Sequence, residues 1–164
     1  DVGCGTGNLT LLAKTRTGPT GNVGGIDPSP EMINVARHKA EKDGIDVTFS
    51  IGVAEQLDLP DDHLDVVLSS LMVHHLPGEE LKSRAFTEMH RVLKPGGRIL
   101  IVDFEPPRNR FARWLLKPFL KGMLDYDIRS IVPLVESAGF VDVTSGRTGH
   151  RLASFVSSRK DHVY

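Results

Sequence analysis

Three glycines alternate at the head of the chain, Gly3, Gly5 and Gly7 in DVGCGTGNLT. Glycine turns tightly and lets a ligand approach the backbone closely. A helix beginning just behind such a loop offers free N–H groups to a carboxylate or phosphate. A dinucleotide site would want G-x-G-x-x-G. Here the last position of that pattern is Asn8, and the third glycine comes one residue early. The spacing disfavours a nicotinamide or flavin. Asp27 follows Gly24, Gly25 and Ile26 at the end of the next extended stretch. An acid at that point accepts the hydroxyls of a ribose. Either feature alone also reads as a tight turn or a helix-leading acid. Together, one strand apart, they point to a ligand that carries a ribose and needs no pyrophosphate.

A second group of residues could move a proton. His74 and His75 sit just past a predicted strand, and histidine can take a proton from a hydroxyl or an acidic carbon near neutral pH. The competing reading is that one caps local backbone while the other packs or faces solvent. Asp103, at the end of a further strand, reads either as lining a substrate or as a solvated strand end. The remaining histidines are scattered, with no cysteine or acid at ligand spacing, so no metal is expected. Cys4, inside the glycine loop, reads as a small packing residue and not as a nucleophile.

The elements that must hold these residues alternate along the chain. NLTLLAKT reads as a helix with Leu9 and Leu12 on one side, and residues 21–26 as a short strand. PSPEMINVARHKAEKDG predicts a helix with Ser29 as N-cap, Pro30 at its first position and Gly44 as C-cap. Ile33, Ala36 and Ala40 form its buried stripe. Strands follow at 46–51 and 63–71, the latter with an apolar centre that suits burial on both faces. A helix over 79–94 turns Leu81, Ala85, Met89 and Val92 inward and stops at residues 95–97, Pro-Gly-Gly. A buried strand spans 98–104. DIRSIVPLVESAGF reads as a helix closed by Gly139, and FVDVTSG and HRLASFVSSRK as an antiparallel pair of strands. Such alternation predicts a parallel sheet with helices on both faces. Ligands bind such sheets beyond the carboxyl ends of the strands, where the glycine loop, Asp27, Ser69 and Asp103 all fall.

Composition bounds the function further. A chain of 164 residues suits one domain with a core. A net charge of -1 gives no footprint for nucleic acid. One cysteine excludes an intrachain disulfide, so a cytoplasmic protein is expected. No apolar run reaches the roughly 18 residues of a membrane span.

Four stretches together resemble a known family. DVGCGTG is similar to motif I of the class I S-adenosylmethionine-dependent methyltransferases. GGIDPSPEMINVARHKA resembles their segment with the ribose-binding acid. GVAEQLDLPDDHLDVVLSSLMVHHL resembles the adenine-side loop and fourth strand, and EMHRVLKPGGRILIVDF the helix and fifth strand. The likeness runs in order through residues 1–104, and the subgroup it resembles is the small-molecule one (methyltransferase type 11) that includes quinone C-methyltransferases.

The resemblance implies a Rossmann-like, mostly parallel sheet of seven strands with a C-terminal antiparallel hairpin. Its first strand would be truncated to Asp1 and Val2, which makes 1–164 a single domain shortened at its N-terminus. It implies S-adenosylmethionine as cofactor and S-adenosylhomocysteine as product. Asp1 and the backbone of Gly3, Cys4 and Gly5 would hold the methionine part, Asp27 the ribose hydroxyls, and Pro28 and Met32 the adenine. The Ala54 backbone would meet the adenine edge, and Ser69 and Ser70 would close the methionine side. Val53 stands where the subgroup carries an acid, so either Glu55 or a backbone carbonyl replaces that acceptor or cofactor affinity is weaker, the hydrogen bond being worth about 0.5–1.5 kcal/mol. The implied activity is methyl transfer to a small, apolar acceptor, on carbon or oxygen. A cofactor-binding domain without turnover and a nucleotide-dependent oxidoreductase are the alternatives.

One stretch stands outside these motifs. In RNRFARWLLKPFLK (108–121) a helical projection gathers Arg110, Arg113, Lys117 and Lys121 on one side and Phe111, Ala112, Leu115, Leu116 and Phe119 on the other. It reads as an ordinary surface helix, as part of a lid or insertion over 105–126 that covers a lipophilic acceptor, or as a peripheral membrane contact. Pro118 argues against one long interfacial element. The oligomeric state is not readable from the sequence.

Overall fold

The computed structural model describes residues 1–107, 109, 111, 114, 115, 118, 126–150 and 152–162. The projection over 108–121, and with it most of the 105–126 segment, lies outside the described residues. The elements run α1 (Asn8–Thr17), β1 (Gly24–Asp27), α2 (Pro30–Asp43), β2 (Thr48–Ile51), β3 (Leu64–Ser70), a 3-10 turn (Val73–His75), α3 (Gly78–Val92) and β4 (Leu93–Phe104). A second 3-10 turn (Ile128–Ile131), α4 (Val132–Ser137), β5 (Phe140–Arg147) and β6 (Ala153–Lys160) complete the chain. No described helix is long and apolar enough to cross a membrane.

The strands form a mixed α/β architecture. β1 and β2 pair in parallel, and a four-stranded sheet runs β3-β4-β6-β5. β3 is parallel to β4, while β6 is antiparallel to both β4 and β5. The expected single sheet of seven strands is therefore seen as six strands in two sheets. The reason is the seam between them, which is made by Asp1 and Val2 and is too short to count as a strand. Ile26 N–H donates to Asp1 O at 2.9 Å on one side, and Val2 N–H donates to Leu68 O at 2.8 Å on the other.

Local signals explain α2 well. Ser29 Oγ accepts from Met32 N–H, Pro30 opens the helix, and Gly44 closes it at φ 63°. Ile33, Ala36 and Ala40 are buried as their spacing predicts. Other elements depart from the sequence reading. α1 buries Thr10 and Leu11, and Leu12 is 53% exposed, because the Thr10 hydroxyl turns inward to Asp1. α3 ends at Val92, and residues 95–97 lie inside β4, since Leu93 already pairs with Leu64. The predicted helix at 127–140 is split, with a 3-10 turn leading into α4 and Pro133 near the start of that helix.

The core also differs from a sheet buried on both faces. Phe86, Met89, Val92 and Val135 from α3 and α4 pack with Val67, Ile99, Ile101 and Val156. The alternate residues of the same strands point the other way, and there Val66 is 52% and Leu100 38% exposed. An apolar run in a strand records the hydrophobicity of both faces, not which face has a partner. A smaller cluster of Cys4, Leu11, Ile33, Ala36, Ala40 and Phe49 holds α1 and α2.

Candidate functional site

The glycine loop is shaped by its backbone. Gly3, Gly5 and Gly7 all have positive φ, at 74°, 51° and 80°. At Gly3 an added Cβ would overlap the Met72 side chain, and at Gly7 it would lie 2.7 Å from Phe49 Cζ. At Gly5 nothing stands within 4 Å, so this glycine fronts open space. The N–H groups of Gly3 and Cys4 both reach Ile26 O at 2.9 Å, tying the loop to β1. Lys39 of α2 holds its outer side by donating to Thr6 O, Thr6 Oγ1 and Asn8 Oδ1. Cys4 is 9% exposed, and burial together with the nearby Asp27 carboxylate pushes its thiol up to about 11. It stays protonated at neutral pH, which agrees with packing and not with nucleophilic work.

Two carboxylates flank the loop. Asp1 Oδ2 accepts from Thr10 Oγ1 at 2.8 Å. Its other oxygen, Oδ1, is buried without a partner among the described residues. A buried carboxylate oxygen with no donor costs free energy until something supplies one. Asp27 Oδ2 accepts from Gly5 N–H at 2.9 Å and Oδ1 from Ser29 N–H at 3.0 Å. Each of its oxygens keeps a further lone pair for a ligand hydroxyl.

Apolar side chains lie open beside Asp27. Met32 is 44%, Ile51 57% and Val53 38% exposed. Ile51 is the register partner of Asp27 in the β1–β2 pair. Pro28 is exposed as well. Val53 offers no side-chain acceptor, and its carbonyl already takes Gln56 N–H. Ala54 is 7% exposed, with its methyl in the large core. Ser69 is buried and donates to Val2 O at 2.9 Å, so its hydroxyl clamps the residue that leads into the loop. Ser70 is half-buried at the end of β3.

Past β3 the chain passes from Met72, which sits against Gly3, into the turn bearing both histidines. His74 Nδ1 lies 2.6 Å from Asp103 Oδ1, and the His74 side chain is 11% exposed. Asp103 is fully buried, which corrects the reading of a solvated strand end. It tolerates burial because three donors converge on it. Besides the ring, these are His74 N–H on Oδ2 at 3.1 Å and Phe104 N–H on Oδ1 at 2.7 Å. His75 is exposed and lies against His74, with ring centroids 3.9 Å apart and the rings tilted by 41°. Tyr126 approaches His74 from the other end of the 105–126 segment, with centroids 5.9 Å apart. Its hydroxyl is buried without a partner among the described residues. Burial, reinforced by the Asp103 and Asp127 carboxylates, pushes that phenol far up, so it remains a donor. Next to Asp103, the buried Glu105 is gripped by Ser154, Arg129 and Arg147.

The structure thus brings Asp1, Gly3, Cys4, Gly5 and Asp27 into one cradle, with Met32 and Val53 on its apolar flank and His74 on the next turn. Sequence reading missed Thr10, Lys39, Ile51, Met72 and Tyr126. Ile51 was open to discovery as the strand-end partner of Asp27. The others act through contacts between distant segments that no local pattern records.

Comparison with known proteins shows the family. A family profile described as "Methyltransferase domain" matches residues 1–97. A demethylmenaquinone methyltransferase of Thermus thermophilus is 36% identical over 146 residues, covering 84% of this chain and 64% of that protein. An arsenite methyltransferase of Halobacterium salinarum is 40% identical over 104 residues, covering 63% of this chain and 26% of that protein. The chain therefore spans less than two thirds of the length of either relative. Among solved structures, a SAM-dependent methyltransferase from Aquifex aeolicus superposes with a TM-score of 0.76 at 24% identity, covering 97% of this chain and 79% of that one.

Proposed function

Because this chain belongs to the methyltransferase domain family, we propose that it binds S-adenosylmethionine in the glycine cradle and passes its methyl group to a small, apolar acceptor. The observation that carries this reading is the unpartnered, buried Asp1 Oδ1, in a chain whose glycine loop leaves the front of Gly5 open. Those features suit an amino acid, whose ammonium supplies donors to Asp1. Asp27 takes the ribose hydroxyls with its remaining lone pairs. Met32, Pro28, Ile51 and Val53 provide the apolar slot for adenine, with the Ala54 backbone at its edge. Ser69 positions the loop through Val2, and Ser70 lies beside it. In this reading Asp1 and Val2 serve as the central strand of one seven-stranded sheet, and Glu105 and Tyr126 stand on the acceptor side.

When bound, the cofactor supplies a methyl group on a sulfonium, already primed to leave. What remains for the chain is to align two reactants, which is worth roughly 7–11 kcal/mol when done well. The relatives named for demethylmenaquinone and arsenite bracket the acceptors to try; the apolar flank and the buried surroundings of His74 favour an organic ring over an inorganic ion.

Calorimetry tests the cradle. S-adenosylhomocysteine is expected to bind and NAD not to. Asp27→Asn is expected to weaken that binding by about tenfold or more, since a hydrogen bond to a charged group is worth about 1.5–3 kcal/mol. Binding of NAD in preference to S-adenosylhomocysteine would overturn the reading. Transfer of a tritiated methyl to naphthoquinol, phenol or arsenite then identifies the acceptor class, and silence with all of them favours a binding domain without turnover.

A further inference from the structure

Two groups at the carboxyl end of β3 and β4 have unused hydrogen-bonding capacity, and the two capacities are complementary. His74 Nδ1 lies 2.6 Å from Asp103 Oδ1, and in the Nδ1–H tautomer the ring donates there. In that tautomer the lone pair is on Nε2, which has no partner among the described residues. The second group is the buried Tyr126 hydroxyl, a donor that is likewise without a partner there. Both stand next to the cradle, since the turn with His74 begins at Met72, which sits against Gly3. A merely structural histidine at a strand end would be expected to use its second nitrogen or give it wholly to solvent. Here the ring is fixed on one side by a fully buried carboxylate and lies against the tilted ring of His75, and its side chain is 11% exposed.

We propose that His74 is a general base that takes a proton from the acceptor, that Asp103 is its positioning residue, and that the Tyr126 hydroxyl holds an oxygen of the same acceptor. This rests on the methyl-transfer reading above and narrows it to acceptors that must lose a proton, such as a phenol, quinol or enol. The acceptor's O–H or acidic C–H bond breaks and its proton goes to His74 Nε2. The electron pair left behind forms the new bond to the methyl carbon, while the methyl–sulfur pair stays on sulfur. The imidazolium returns its proton to water. No oxidant or reductant is needed. Asp103 holds Nδ1 and so fixes which ring nitrogen faces the acceptor.

The first test needs no turnover. Nitrogen-15 NMR of the wild-type chain should show His74 as the Nδ1–H tautomer, and Asp103→Asn should convert it to a mixture. Finding the wild-type ring protonated only on Nε2 overturns the proposal. The second test measures methyl transfer to 1,4-naphthoquinol and to 2,4-dinitro-1-naphthol, which is already ionised at neutral pH. His74→Gln should lower kcat about a hundredfold or more on the quinol, leave the ionised naphthol nearly unaffected, and leave S-adenosylhomocysteine affinity within about twofold. Added imidazole should restore part of the rate to His74→Gly. Tyr126→Phe should raise KM for the quinol more than it lowers kcat. Equal losses on both acceptors, or none, overturn the assignment, as does a wild type that binds S-adenosylhomocysteine yet turns over neither. Failure to bind S-adenosylhomocysteine at all overturns the cradle reading instead, and the tautomer result still decides the His74–Asp103 pair.

Discussion

Around the glycine loop a small core leaves apolar side chains open, whereas at the end of β3 and β4 ionisable side chains are buried against a large core. β1 and β2 are short, and their small core of Cys4, Leu11, Ile33, Ala36, Ala40 and Phe49 leaves Met32 and Ile51 open. β3, β4 and β6 rest on a much larger core and bury Asp103, Glu105 and Ser154 inside it. The contrast has a physical basis. A cradle needs close backbone approach and open apolar surface, and both limit how much core can stand behind it. A group that moves a proton needs a fixed orientation, and burial among satisfied partners provides it.

The sharpest way to break this contrast is in the cores. Phe86→Ala should cost about 4 kcal/mol, since the ring is fully buried among close neighbours. Phe49→Ala should cost somewhat less, yet it alone should weaken S-adenosylhomocysteine binding in the protein that stays folded, because Phe49 supports Gly7. Urea unfolding followed by calorimetry on the folded fraction compares the two, and equal affinities would erase the distinction.

Next comes the loop itself. Gly3→Ala should cost about 3 kcal/mol, combining left-handed strain with overlap on Met72. Gly5→Ala should cost about 1 kcal/mol, from strain alone, and yet lose more affinity than stability, because its methyl enters the open front of the cradle. A thermal shift measured with and without ligand separates the two effects.

The smallest effect lies at the surface of the large core. Arg91 bonds to Glu88 and holds that carboxyl below the usual glutamate range, although partial burial opposes the shift and Leu57 N–H assists it. A depressed pKa in the folded state means the contribution is complete above the unfolded value, near 4.5, and is lost as pH falls through the folded one. Glu88→Gln should therefore lower stability at pH 7 by on the order of 1 kcal/mol. Its difference from wild type should shrink at pH 3, as read from urea midpoints.

What could be read from the sequence follows the range of the signals. The caps of α2 and its buried stripe are visible because Ser29, Pro30, Gly44 and Ile33 act within a few residues. The loop and Asp27 are visible because glycine spacing and a strand-end acid are local as well. The start of β4 at Leu93 is not visible, because pairing with Leu64 overrides the turn chemistry of Pro95, Gly96 and Gly97. The burial of Asp103 is hidden for a similar reason, since two of its three donors come from His74, a residue 29 positions away. The inward Thr10 of α1 is legible only once Asp1 is known to face it. The exposure of Val66 and Leu100 depends on which face of the sheet has a partner, which no strand sequence states.

The seam at Val2 has a consequence for cooperativity. The backbone connection between the two sheets runs through Asp1 and Val2, with Ser69 bonded to the Val2 carbonyl. Separate cores joined by so narrow a bridge can open as separate units, each with its own free energy. Strength at that bridge then decides whether the chain unfolds in one step or two. A ligand lying across the loop would act there as a mechanical brace, coupling the melting of one half to that of the other.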